Sequence, residues 1–285
     1  MPDISRRNFI KTSAVLGGSA MLMGMTGIPA IAEEEKPLKV RALVCSPTGG
    51  TMNAAYMLAS MIGEAEVIDQ VPLASRKETI TFAKDEVAIL AAPAYAGKIP
   101  AAPGLFENIK GDGTPCVVVA TYGNREAENC NAQMAKLAAD RGFVVIGAIK
   151  IITPHIFGAR AGHSRPDVQD IPEIKAFAEG VKAKIKAGNL TPVVPEGDPT
   201  IMGKPTLHSV IDKQLDAAKC VGCGLCINNC PVGAIGNDLA INLEACIECQ
   251  RCSHICPVAA RTYLTNWDGT DGKYLAPRKP VTYML

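Results

Sequence analysis

Between residues 38 and 190, short apolar runs alternate with segments whose apolar residues recur at helical spacing. The apolar runs have the length of strands and lie at 38–45, 65–69, 86–92, 116–121 and 143–152. The third run, EVAILAA, is continuously apolar, as is typical of a strand buried on both faces. Helical periodicity predicts a helix that follows the loop at 46–51 and ends near Gly63, and further helices at 103–110, 126–141 and 171–185. This alternation predicts an α/β fold in which helices cover both faces of a five-stranded parallel sheet.

Three loops follow predicted strands, at the edge where a parallel sheet binds its ligands. The first, residues 46–51 (SPTGGT), has hydroxyls and glycines but no lysine, which excludes a Walker loop for nucleoside triphosphates. Hydroxyls and backbone N–H groups at a helix N-terminus suit a single phosphate instead. Each of the other two loops places a tyrosine after a strand, Tyr95 in residues 93–100 and Tyr122 in residues 121–125.

Eight cysteines between residues 220 and 256 form two copies of the pattern C-x2-C-x2-C-x3-C-P. This is the two-cluster bacterial ferredoxin run, in which three close thiolates bind one 4Fe-4S cluster and the fourth binds the other. The crossing predicts two ligand sets: Cys220, Cys223, Cys226 and Cys256 for one cluster, and Cys246, Cys249, Cys252 and Cys230 for the second. Two zinc ions fit less well, because zinc hooks usually pair across a long spacer, and the close spacing strains disulfide geometry.

The loops and the cysteine runs together resemble the flavodoxin-ferredoxin fusion electron-transfer family over about residues 38–263. The resemblance implies FMN held by a phosphate loop and two ring loops, with Tyr95 and Tyr122 beside the flavin ring. The residues implied are Ser46, Thr48, Gly49, Gly50 and Thr51 for the phosphate, and Tyr95, Ala96, Gly97, Thr121, Tyr122, Gly123 and Asn124 in the ring loops. The usual flavodoxin T-G-N-T is here T-G-G-T, which removes one side-chain donor and leaves a backbone one. The alternative is a flavin-free scaffold in which both tyrosines only pack.

These patterns divide the chain into a flavodoxin-like domain (38–190), a linker rich in Pro, Gly and acidic residues (191–212), a small α+β two-cluster ferredoxin domain (213–263) and a tail of loop composition (264–285). A polar excursion at 154–170 has the length of a lid or an interface. For its His155 and His163 we expect a structural or docking role rather than proton donation. Cys45, Cys116 and Cys130 lack ligand spacing, and the first two, which lie in apolar strands, are expected in the core.

Residues 1–32 have the layout of a signal peptide: charged residues, a Gly- and Ala-rich apolar stretch, and a small-residue site at residues 30–32. Arg6 and Arg7, followed by Phe9, resemble a twin-arginine signal, whose pathway exports folded proteins. An amphipathic or membrane-anchoring helix is the alternative. We expect export, to the periplasm in a cell that has one, with no stable membrane anchor after cleavage.

The net charge and the chemistry of the motifs indicate which classes of function fit this sequence. A formal charge of +1 gives no basic field for nucleic acid. The predicted function is electron transfer between two 4Fe-4S clusters and FMN, with an unidentified redox partner protein. The alternatives are a flavin-dependent reductase of a small substrate fed by the clusters, and a ferredoxin on a flavin-free flavodoxin-like scaffold. Electron transfer is favoured because the sequence has no second nucleotide-binding domain and no dedicated acid–base pair.

Overall fold

The apolar runs in the first half of the chain form a sheet in the computed structural model, which describes residues 36–157, 160–201, 203, 211–265 and 277–285. The strands of this half are β1 (Lys39–Val44), β2 (Glu64–Asp69), β3 (Ile80–Thr81), β4 (Glu86–Pro93), β5 (Ile109–Lys110), β6 (Thr114–Tyr122) and β7 (Phe143–Ile152). Five of them pair in parallel in the order β2-β1-β4-β6-β7, while the two-residue strands β3 and β5 pair with each other. This is the 2-1-3-4-5 order of flavodoxin-like sheets, so the predicted fold class is confirmed.

Three helices cover the two faces of this sheet: α1 (Gly50–Ile62), α2 (Cys130–Ala139) and α3 (Ile171–Lys186). The helices α1 and α3 pack together on one face, where Leu58 and Phe177 are fully buried. The helix α2 covers the other face through residues that include the fully buried Met134. Cover on both faces explains why every residue of β6 is buried and why residues 116–120 within it form a continuous apolar run.

The helix predicted at 103–110 is wrong. These residues make turns that lead into β5, and the backbone of Phe106 has a φ of 59°, outside the right-handed helical region. The side chains of Leu105 and Phe106 are nevertheless buried in the same core as α2. Their apolar spacing therefore reflects burial of an irregular segment. This segment covers part of the same face of the sheet as α2, although it is not a helix.

The region of the doubled cysteine run folds as a small α+β unit. The strand β8 (Ile211–Leu215) pairs antiparallel with β9 (Arg261–Thr265), and two short helices, α4 (Leu225–Asn228) and α5 (Arg251–His254), lie between them in sequence. The last thiol of each cysteine run accepts a backbone N–H from four residues further on. These bonds run from Ala234 to Cys230 and from Ala260 to Cys256, both at 3.2 Å. The repeat in spacing is thus also a repeat in local structure.

Arg76 joins this unit to the sheet domain near the end where the parallel strands finish. Its side chain is buried, with 9% of the residue exposed, and it donates to three carbonyls of the sheet domain and one of the ferredoxin-like unit. The acceptors are the carbonyl oxygens of Gln70 (2.7 Å), Val71 (2.8 Å), Pro103 (2.7 Å) and Pro231 (3.1 Å). Residues 37–285 accordingly form one compact unit.

A sixth strand comes from the C-terminal tail, for which the sequence analysis predicted only loop composition. The strand β10 (Thr282–Met284) pairs antiparallel with β7 at the edge of the sheet. Leu285 lies so close to α3 that a Cβ on Gly180 would be 2.2 Å from it, and the ring of Tyr283 lies 5.3 Å from that of Phe177. The strand is too short for a periodicity signal, and its place is fixed by contacts that are distant in sequence.

A network of ion pairs holds the part of this tail just before β10 against the polar excursion at residues 154–170. Arg278 forms ion pairs with Asp167 at 2.7 Å and with Asp170 at 3.0 Å, and Asp170 also pairs with the buried Arg165 at 2.5 Å. Hydrogen bonds from Arg278 lower the pKa of Asp167 to about 2. The polar residues of the excursion therefore serve in part to seat the tail.

The remaining predicted segments are described only in part. Where it is described, the linker runs along the sheet domain: the N–H of Val193 donates to the carbonyl of Val145 at 2.8 Å, and the Gln133 amide donates to the carbonyl of Ile201 at 2.6 Å. The predicted signal peptide, residues 1–32, lies outside the described residues. In the part of the chain that is described, no helix has the length and apolar character needed to cross a membrane.

Candidate functional site

The loop between β1 and α1 is shaped around the N-terminus of that helix. The N–H of Met52 donates to Ser46 Oγ at 2.9 Å, so the serine closes the first turn. Gly49 precedes the helix with a φ of 91°, a conformation that a residue with a Cβ rarely adopts. The hydroxyl of Thr51 hydrogen-bonds that of Thr121 at 2.7 Å, which ties this loop to the end of β6. The loop is therefore preformed where a helix dipole favours an anion.

A cavity of about 300 Å³ opens beside this loop, at the carboxyl ends of β1, β4 and β6. Most of the predicted FMN residues line it, namely Ser46, Thr48, Gly50, Thr51, Tyr95, Ala96, Thr121, Tyr122 and Gly123. The volume lies at the lower end of the range for ligand sites. The structure thus brings the three loops into one cavity, as expected at a switch point where the strand order reverses.

Three of the predicted FMN residues do not line this cavity. Gly49 lines an adjoining cleft, and the carbonyl of Gly97 accepts the N–H of Asn129 at 2.8 Å. The side chain of Asn124 contacts the C-terminal tail, where it accepts the N–H of Lys279 at 3.4 Å. The pattern of the third loop could not reveal this contact, because its partner is 155 residues further along the chain.

Both predicted ring residues are almost completely buried in the cavity wall. Tyr95 is 7% exposed and Tyr122 is 6% exposed. Burial raises the pKa of Tyr95 well above its usual range and that of Tyr122 to about 12, where Glu126 adds to the effect, so both phenols stay neutral. Among the described residues, the buried hydroxyl of Tyr95 has no hydrogen-bond partner. This oxygen is closed off even though the cavity is open, so Tyr95 contributes other atoms of its side chain to the cavity wall.

His155 lines the same cavity but is held neutral. Burial, reinforced by Arg125, lowers its pKa to about 4, and its Nδ1 accepts the N–H of Phe157 at 3.3 Å. A neutral ring used as an acceptor is better suited to a structural role than to proton donation. His163 is exposed, with its Nδ1 3.1 Å from the hydroxyl of Ser164, and does not line the cavity.

The far wall of the cavity comes from the ferredoxin-like unit. Ile247 and Glu248, the two spacer residues between Cys246 and Cys249, both line it. Glu248 is 1% exposed and forms a buried ion pair with Lys213 of β8. The sequence analysis missed this pair, since Glu248 occupies a spacer position in the motif. The only signal was a carboxylate placed between two thiolates, which is unfavourable without a cation nearby.

The eight cysteines lie around two separate cavities. One is lined by Cys220, Cys223, Cys226 and Cys256, and the other by Cys230, Cys246, Cys249 and Cys252. The structure therefore brings together the two crossed sets, in which each run lends its last thiol to the other. We refer to these as the outer set, which contains the exposed Cys223, and the inner set, which contains the buried Cys249.

The donor chemistry of both sets fits iron-sulfur cubes. Thiolate sulfurs that accept backbone N–H groups, as Cys230 and Cys256 do, are suited to bind iron. Among the described residues, no three His, Cys, Asp or Glu side chains are arranged to hold a single metal ion. A cube has a different requirement, because each of its four irons takes one cysteine.

The surroundings of the two sets differ. Four apolar side chains around the outer set are each more than a third exposed: Leu215, Val221, Leu225 and Val258. The inner set instead lies next to the sheet domain, because Cys249 belongs to the same packed core as Tyr95. Burial and then the nearby charge of Cys249 both act to raise the pKa of Tyr95. The outer set thus lies among side chains that are exposed to solvent, and the inner set lies beside the loops at the end of the sheet.

Comparisons with known proteins found two family models and a set of similar solved structures. Residues 213–236 and 243–262 each match a family model of a 4Fe-4S binding domain. Similar solved structures include a flavodoxin from Streptococcus pneumoniae, 18% identical over 51% of this chain and 98% of its own, with a TM-score of 0.36. Another, from Bacteroides uniformis and described as a flavoprotein, is 17% identical over 53% of this chain and 99% of its own, with a TM-score of 0.31. No curated protein matches the chain in sequence.

The strand order and the two family matches together define the class of protein. A flavodoxin-like domain is joined to a ferredoxin-type pair of 4Fe-4S binding domains. The chain is therefore an iron-sulfur protein of two 4Fe-4S clusters, whose chemistry is the transfer of single electrons.

Proposed function

We propose that this protein transfers electrons between its two 4Fe-4S clusters and an FMN bound at the carboxyl ends of the sheet. The observation that carries the proposal is the position of the four-residue segment from Cys246 to Cys249. Its two cysteines line the inner cavity, while Ile247 and Glu248 between them line the cavity beside Tyr95. One four-residue segment therefore separates the two proposed cofactor sites, which favours electron exchange within the molecule.

The residues of the cavity fit FMN in two respects. The hydroxyls of Ser46 and Thr48, with the first backbone N–H groups of α1, suit a phosphate. The apolar bodies of Tyr95 and Tyr122 suit the faces of an aromatic ring. Bound FMN can take up one or two electrons, which links one-electron clusters to two-electron carriers.

The same surroundings give the proposed order of the centres. The outer set has an exposed cysteine and an exposed apolar rim, so an external redox protein would exchange electrons there. The inner set, buried against the sheet domain, would pass them to or from the flavin. The competing function, reduction of a small substrate at the flavin, has less support because His155 is neutral and engaged as an acceptor.

Stepwise anaerobic reduction tests the relay. We expect flavin absorbance and cluster EPR signals to change together in the wild type, and Tyr95→Ala to lose most of its flavin while keeping its iron, because the ring loses one wall. Tyr56→Ala is the matched control, since Tyr56 is 57% exposed on α1. Clusters that cycle fully while a bound flavin never responds would exclude the relay. A protein that never contains flavin would leave only the ferredoxin function, and substrate-dependent flavin reoxidation would support the reductase.

We also propose that the protein is exported in its folded state by the twin-arginine pathway. The support is the arrangement of Arg6, Arg7 and the small-residue site ending at Ala32. Export after folding would allow the cysteines to bind their clusters before the chain crosses the membrane. Changing both arginines to lysine should leave uncleaved precursor inside the cell, as seen by immunoblot of cell fractions. Mature protein outside the cytoplasm of that variant would contradict the proposal.

A further inference from the structure

Arg261 is a buried cation beside the thiols of the outer set. It is the first residue of β9, is 4% exposed, and its side chain lines the cavity of the outer set. Its backbone hydrogen-bonds Cys256, an outer-set ligand, while the helix α5, which carries the inner-set ligand Cys252, packs on β9. The guanidinium therefore lies at the cavity of the outer set, on a strand that packs against the helix of an inner-set ligand.

This cation is not neutralised by a carboxylate. Its Nη2 donates to the carbonyl of Leu239 at 2.5 Å, and its Nε is buried without a hydrogen-bond partner among the described residues. No ion pair joins Arg261 to an acidic side chain in the described part of the chain. Lys213 differs, because the buried Glu248 cancels its charge. Leaving a guanidinium buried and unpaired is costly, so its retention needs a reason.

We infer that Arg261 is a shared positioning cation that raises the reduction potential of both 4Fe-4S clusters. Reduction adds one negative charge to a cube, and a fixed positive charge in a low-dielectric interior stabilises the reduced form more than the oxidised form. The effect should be larger for the outer cluster, whose cavity Arg261 lines, than for the inner one. The inference rests on the two clusters and not on the proposed flavin.

The test is an EPR-monitored redox titration of anaerobically purified, full-length Arg261→Gln, with iron content measured first so that loss of a cluster is recognised. At a fixed applied potential, the ratio of oxidised to reduced outer cluster should rise about tenfold, which corresponds to a reduction potential that is lower by about 59 mV for one electron. The inner cluster should show a smaller rise. Arg261→Lys keeps the charge and should stay near the wild type. Lys219→Gln is the matched control, because it removes an exposed charge next to Cys220 that solvent already screens.

A second variant adds a countercharge and leaves Arg261 in place. Leu239 has a φ of 66°, which Asp and Asn tolerate well, and both Leu239 and Arg261 line the outer cavity. Leu239→Asp should lower both potentials relative to Leu239→Asn. The inference is overturned if cluster-loaded Arg261→Gln has wild-type potentials, or if the Gln and Lys variants shift equally. If Arg261→Gln fails to hold its clusters, equal potentials in Leu239→Asp and Leu239→Asn overturn it instead.

Discussion

Replacing Cys256 with alanine is expected to remove the cluster bound by Cys220, Cys223 and Cys226. It should leave the cluster bound by Cys252, although Cys252 is nearer to Cys256 in sequence. The reason is that Cys256 lines the outer cavity with those three residues, although it ends the second run. A 4Fe-4S cube that loses one of its four thiolates has an iron without a protein ligand. Iron content should therefore fall to about half, with the inner cluster left visible by EPR.

Two further variants complete this experiment: a reciprocal substitution in the first cysteine run, and a control substitution of a cysteine in the core. Cys230→Ala should remove the inner cluster, because Cys230 lines the inner cavity although it ends the first run. Cys130→Ala, at a fully buried position in α2, should keep all its iron. Loss of only the inner cluster from Cys256→Ala would contradict the crossed arrangement and show that each run binds its own cube.

Replacing Arg76 with methionine is expected to lower the free energy of unfolding by about 3–5 kcal/mol. The guanidinium satisfies four carbonyl groups, including that of Pro231, and a buried polar group left without its partner costs about 1–3 kcal/mol. Methionine keeps much of the apolar stem, so most of the loss reports the hydrogen bonds. The measurement is urea denaturation of anaerobic, cluster-loaded protein, followed by far-UV circular dichroism.

Arg141→Met is the control for this variant. Arg141 also donates to two carbonyls, those of Glu107 and Leu137, but at 3.3 Å and nearer to solvent, where water can replace it. We expect it to cost less than about 1 kcal/mol. Equal losses in the two variants would show that Arg76 does not join the ferredoxin-like unit to the sheet domain in the way its contacts suggest.

The features that sequence could predict are those whose cause is local. Buried strands such as β4 have continuous apolar runs, and the crossed cysteine sets follow from a spacing that recurs within 37 residues. The loops after β1 and β6 could be placed because strand ends meet at one edge of a parallel sheet. In each case a short pattern contains the physical reason for the structure.

The features that sequence could not predict depend on partners far along the chain. Arg76 and Pro231 are 155 residues apart, and the pairing of Lys213 with Glu248 spans 35 residues. Phe106 is apolar in either a helix or a turn, so its burial says nothing about its backbone. The short strand β10 has too few residues for alternation to be distinguished from a loop.

The strand β10 has a consequence for how the two modules are tethered. The chain leaves the sheet domain after α3, passes through the cysteine-rich unit, and then returns to the edge of the same sheet. The iron-binding module is therefore an insertion with two covalent connections to its host, rather than an appendage on a single hinge. We expect two connections to restrict the movement of this module more than one would, and a protease cut in either connection would leave the other intact.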